Sequence, residues 1–232
     1  MRRSRHMSTR ATRHDHGVTL PSPVTLPSGS RREPAVLLTL VLAGLVLSGI
    51  GPKDRVTWLL EVFPVLVGVP LLVLTRRGFP LTPLLYRLLA LHAVVLMVGG
   101  HWTYADVPLG EWVRDWTGGR NDYDKLGHFA QGFVPAILAR EVLLRRSPLR
   151  PGRWLAVLVV SVCLAFSAFY EMVEWWAAVL GGSGADAFLG TQGYAFDTQS
   201  DMFFALLGAI AALVLLGRVH DRQLGLDRPG RG

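Results

Sequence analysis

The amino-acid sequence predicts an all-α polytopic membrane protein, a bundle of six transmembrane helices with both termini on the inner side. Three observations lead there. Half of the 232 residues are hydrophobic and only 18% are charged, with a mean hydropathy of +0.35, which excludes most soluble enzyme classes. The apolar residues fall in six blocks of about 16 to 27 that lack the polar stripe of a globular helix, as spans of a hydrocarbon core about 30 Å thick require. Lysine and arginine are also distributed very unevenly between alternate connections.

Residues 1–34, rich in Arg, Ser, Thr, Pro and His, carry too little apolar surface to offset the entropy of ordering them and read as a disordered basic cytoplasmic tail. Met7 offers an alternative start to Met1. The first apolar segment, Ala35–Gly51, follows Arg31 and Arg32 and ends in small residues, so a cleaved signal peptide is its alternative reading. A retained helix is preferred because it gives the later spans a consistent orientation. Those spans are Val56–Leu74, Leu88–Tyr104, Gly127–Leu144, Trp154–Leu180 and Asp201–Gly217, which makes residues 35–217 one transmembrane domain. Residues 218–232 form a basic cytoplasmic C-terminal tail.

With both termini inside, 19 of the 24 Lys and Arg face inward, and 12 of the 17 Asp and Glu lie on or near the outer side. The net charge of +7 thus divides into about +14 inside and −7 outside. The basic excess is a topological device and a contact for anionic lipid headgroups, and no nucleic-acid motif accompanies it. The lone Cys163 lies mid-span as a small hydrophobe and has no partner for an intrachain disulfide. No internal repeat is evident, which counts against transporter folds built from inverted repeats.

Ionisable residues within spans are functional candidates. Here they gather at the outer end. Glu61 precedes Pro64 in the second segment, and His101, Trp102 and Tyr104 end the third. Asp124, His128 and Gln131 recur at i, i+4 and i+7 at the start of the fourth, so they share a helical face. Glu171 and Glu174 come after about 17 residues of the fifth, roughly 25 Å of rise, and Asp197 and Asp201 open the sixth. Such crowded carboxylates require protonation, pairing with Lys125 or Arg55, or a bound cation. A divalent metal held by His128, Glu171, Glu174, Asp197 and Asp201 is one reading, with Zn, Mn, Fe and Mg equally suited. A metal-free acid–base site of His128 with Glu171 or Glu174 is another.

Each residue also has a structural reading. Asp124 and Asp197 suit helix N-caps, Lys125 a neighbouring acid, and Glu171 and Glu174 a snorkelling position in headgroup water. His101, Trp175 and Trp176 fit an aromatic interface belt. Glu141, with Arg140, Arg145 and Arg146, reads as a solvated inner helix end. The Gly181–Gln199 connection has five glycines and no basic residue, and reads as a re-entrant or surface lid over the cluster or as a plain connector.

At Asp122–Ala136, Glu171–Ala178 and Phe188–Met202 the sequence resembles the YjdF-like inner-membrane proteins of bacteria, a likeness running from about Ala35 to Gly217. The resemblance implies a small polytopic protein of the bacterial plasma membrane and assigns no activity. Family members often carry Trp where this chain has Phe196. The Asp124–Phe129 stretch is also similar to the Asp-Lys-x-x-His-Phe opening of VanZ-like membrane proteins, which implies a role with envelope lipids or glycans.

The function expected is that of a membrane-embedded enzyme or binding protein for a lipid or lipid-linked headgroup at the outer leaflet. His128, Glu171 and Glu174 are its catalytic candidates, and Lys125, Gln131, Gln192 and Gln199 its substrate-binding ones. The rivals are a small-solute or proton-coupled transporter using Glu61 near Pro64, Gly68 and Pro70, and a non-catalytic assembly factor. The sequence sets no oligomeric state.

Overall fold

The computed structural model describes residues 32–181 and 193–226. Those residues form six long helices and one short one: α1 (Arg32–Ser48), α2 (Arg55–Thr75), α3 (Pro83–Trp102), α4 (Pro108–Thr117), α5 (Tyr123–Arg146), α6 (Arg153–Gly181) and α7 (Asp197–Leu224). A single 3-10 turn, Tyr104–Asp106, links α3 to α4, and no strand occurs among the described residues. The Gln192 candidate and most of the expected lid lie outside them.

Local chemistry sets the ends. The Asp54 carboxylate accepts a hydrogen bond from the Thr57 N–H at 2.7 Å and caps α2. The same bond holds the Asp54 carboxyl below its ordinary pKa. α3 and α4 open on Pro83 and Pro108, where a missing N–H breaks no helical bond. α4 ends at Gly118 and α7 at Gly225, both in left-handed conformation with φ of 68° and 71°.

Each predicted segment falls on one long helix, except that the first runs past Ser48 and the third past Trp102, and α2, α3, α6 and α7 are long and apolar enough to cross a membrane. The other two differ for separate reasons. α1 has 17 residues, roughly 25 Å of rise. α5 is long enough but carries Asp124, His128, Arg140 and Glu141 at buried positions. It tolerates them because it is the central helix, packed along α7 and against α6 and α3. α3 in turn bridges α5 to α1 and α2.

The α5–α7 contact is close because small residues line it. A Cβ at Gly132 would stand 1.8 Å from the Ala205 carbonyl oxygen, and one at Gly208 would stand 2.1 Å from that of Phe129. Ala136, Ala205, Ala209 and Ala212 are fully buried beside them. The main core joins this seam to Leu85 of α3 and to Leu155, Val159 and Cys163 of α6, so Cys163 packs as the small hydrophobe expected. A second core, with Val41, Val62, Val65, Ala93 and Met97, holds α1, α2 and α3 together.

Glu141 corrects the sequence reading. It is fully buried, not solvated. It accepts hydrogen bonds from the Thr82 N–H at 3.1 Å, the Thr82 hydroxyl at 2.8 Å, Arg145 at 2.6 Å and His220 Nε2 at 3.0 Å. Arg140 donates to His220 Nδ1 at 2.9 Å, which leaves the imidazole proton on Nε2 to face Glu141, and it pairs with Asp221 at 2.6 Å. α7 reaches this network because it continues past Gly217 to Leu224. Arg146 stays exposed.

α4 is an element the sequence reading did not anticipate. Leu109, Trp112, Val113 and Trp116 follow i, i+3, i+4, i+7 spacing and are all exposed, opposite Glu111, Arg114 and Asp115. Asn121, fully buried, fastens the helix by donating to the Val107 carbonyl at 3.1 Å and to Glu111 at 2.9 Å.

Candidate functional site

The α3–α4 corner shapes one side of the polar end. Thr103 has φ 56°, a left-handed conformation that costs about 1–3 kcal/mol for a non-glycine residue. Its hydroxyl donates to Asp106 at 3.0 Å, and Lys53 pairs with Asp106 at 2.7 Å, which holds the Asp106 carboxyl below its ordinary pKa. The corner drives Tyr104 between α3 and α5, so that a Cβ at Gly99 would lie 2.3 Å from its ring and one at Gly127 2.6 Å. Tyr104 is buried and meets Tyr123 edge to face.

α5 brings Asp124, His128 and Gln131 onto one face, as their spacing predicts. Asp122 stands at the N-cap of α5 and Phe196 at that of α7, neither with a side-chain cap bond, so Asp124 and Asp197 are not the caps. Asp124 is instead buried, with Oδ1 at 3.3 Å from His128 Nε2. On the same side of the ring, Asp201 Oδ2 lies 3.9 Å from Nε2. Across the ring, Glu171 Oε1 lies 3.9 Å from Nδ1, and Gln131 Oε1 lies 2.9 Å from it.

These residues form two groups around one imidazole. Asp124, His128 and Asp201 can each offer a ligand atom within 4.8 Å of the others, and so can His128, Glu171 and Glu174. In the tautomer whose Nδ1–H donates to the Gln131 amide oxygen, the lone pair is on Nε2, and the first group is then the place for a cation; in the other, Nε2–H faces Asp124. Asp201 Oδ1 and Glu171 Oε1 are buried and take no hydrogen bond within the described residues. Such carboxylate oxygens are costly unless something else meets them.

The remaining candidates fall in different places. Glu171 is buried and Glu174 partly so, which removes the snorkelling reading for Glu171. Asp197 pairs with Arg120 at 2.8 Å and stands apart from both groups. Lys125 pairs with Asp122 at 2.7 Å, the neighbouring acid, and sits over the Phe204 ring. Gln199 is exposed on the first turn of α7, and Arg55 is exposed away from any carboxylate pair among the described residues. Glu61 of α2 is buried and accepts from the Tyr170 hydroxyl at 3.4 Å. His101 Nδ1 lies 2.8 Å from the Ser48 carbonyl oxygen, at the tip of α1.

Arg120 is the functional-site cation that spacing did not single out. It also pairs with Asp122 at 3.1 Å and stacks over Tyr194, so it ties the start of α5 to that of α7. The available signal was compositional: it is a basic residue two positions ahead of an acidic helix start.

Residues 33–222 match the family described as "Predicted membrane protein (DUF2238)". The chain is 56% identical over 191 residues to "Inner membrane protein YjdF" of Escherichia coli (strain K12), a match covering 82% of this chain and 90% of that protein. No solved structure matches it. Both polar ends, from Glu61 through His128 to His220, fall within the matched range, and the chain belongs to this DUF2238 family of predicted membrane proteins.

Proposed function

We propose that the chain is a six-span inner-membrane protein with cytoplasmic termini. At its extracytoplasmic end, Asp124, Asp201 and His128 Nε2 hold a divalent cation that serves chemistry on a lipid or lipid-linked headgroup. The carrying observation is the buried Asp201 Oδ1, which takes no hydrogen bond within the described residues, set beside an imidazole whose other nitrogen lies 2.9 Å from Gln131 Oε1. A bound cation there would supply Lewis acidity and an acidified water. Glu171 and Glu174, on the opposite side of the ring, are the groups placed to take and return a proton. Lys125 and Arg120 flank the start of α5 and present cations to a phosphate or carboxylate.

The exposed tryptophans of α4 support the placement. A short amphipathic helix with Trp112 and Trp116 on its apolar face suits the headgroup boundary, and α4 adjoins Asn121 at the entry to α5. The charge asymmetry of the connections supports the orientation.

Elemental analysis of the full chain purified in mild detergent, after incubation with Zn, Mn, Fe or Mg salts, tests the cation. About one equivalent is expected. His128→Ala and Asp201→Asn should lose it, and Gln131→Leu should weaken it about 10- to 100-fold at unchanged thermal midpoint. Metal at background level in the unaltered protein, with all four salts, overturns the proposal.

A further inference from the structure

A second site, lined by none of the residues around His128, lies between α1 and α2. Both helices rest along α3 and scarcely touch each other. They meet near one end, where Trp58 Nε1 donates to the Ser48 hydroxyl at 3.2 Å and Gly49 abuts the Trp58 ring. From Pro64 onward a cavity of about 1030 Å³ runs toward the other end of α2, walled by residues such as Leu38 of α1, Gly68 of α2 and Ala93 of α3. At Gly68 the wall is thin, since a Cβ there would meet nothing within 4 Å.

The charges lining the cavity are of one sign. Arg76 and Arg77, at the end of α2, are exposed at its mouth, His92 and Tyr86 are its other ionisable groups, and no carboxylate lines it among the described residues. A long apolar slot with two guanidinium groups at one end complements an amphiphile with an acyl chain and an anionic head.

We infer that the α1–α2 cavity is a binding site for an anionic phospholipid, one acyl chain lying against Gly68 and the phosphate at Arg76 and Arg77. The site is independent of the cation proposed above. It belongs to the membrane leaflet on the side of the α2–α3 connection.

Native mass spectrometry of the full chain in mild detergent, titrated with dimyristoyl phosphatidylglycerol or dimyristoyl phosphatidylcholine, tests it. Phosphatidylglycerol should bind about tenfold more tightly. The double variant Arg76→Gln/Arg77→Gln should bind the two lipids equally. Gly68→Trp should lose the adducts of both at an unchanged thermal midpoint, since its side chain enters open space. Should Gly68→Trp fail to fold, the arginine variant, altered only at exposed residues, decides alone. Equal binding of the two lipids by the unaltered chain overturns the inference. So does retention of the preference in the arginine variant, or a Gly68→Trp effect confined to the monomer–dimer distribution, which would make a second copy the occupant.

Discussion

Two carboxylates illustrate how differently burial is met in this molecule. Glu141 and Asp201 are 0% and 2% exposed. Glu141 has donors from Thr82, Arg145 and His220, whereas Asp201 has an oxygen with none within the described residues. The first is a satisfied structural network, and the second is the oxygen on which the proposed cation site rests. Glu141→Ala would leave Arg145 and His220 without their shared anion, so a loss of about 3–5 kcal/mol is expected, read as a fall in the thermal midpoint in detergent. Arg150→Ala, at an exposed position, should stay within about 0.5 kcal/mol. The difference between these residues was only half legible in the sequence. Asp124, His128 and Gln131 announce themselves by helical spacing, while the donors to Glu141 include residues 59 and 79 positions away. Seen locally, Glu141 has only arginines for company and passes for a solvated end.

At the scale of elements, the six long helices could be read from apolar block length, and their ends were misplaced mainly where polar residues extend them. α5 and α7 begin earlier and end later than hydropathy suggests because their terminal charges are paired within the bundle. α4 escaped notice because ten residues with four apolar side chains make no span, although the i, i+3, i+4, i+7 pattern was present. The α5–α7 seam has a direct test. Gly208→Ala must push Phe129 or α5 aside and should destabilise by about 1–3 kcal/mol in thermal melts, while spreading the carboxylates around His128. Gly217→Ala, on the same helix but with open space at its Cβ, should be neutral or stabilising by up to about 1 kcal/mol. Equal effects of the two would show that helix propensity, not close approach, governs the seam.

For the whole molecule, the proposed topology makes a clean prediction because Cys163 is buried and gives no background signal. In intact spheroplasts, a membrane-impermeant maleimide should label Asp115→Cys, on the polar side of α4, and should label Arg150→Cys, in the α5–α6 connection, only after permeabilisation. The reverse pattern would invert the orientation, and labelling of both from outside would remove α5 as a span. The centrality of α5 also bears on how the protein is made. Its buried Arg140 and Glu141 find their partners, Asp221 and His220, some 80 residues later at the end of α7. A helix with charges facing inward has no stable place alone in hydrocarbon. Under the proposed topology, α5 is therefore expected to reach a stable place in the bilayer only once the last helix has emerged, so that the order of insertion would depart from the order of the chain.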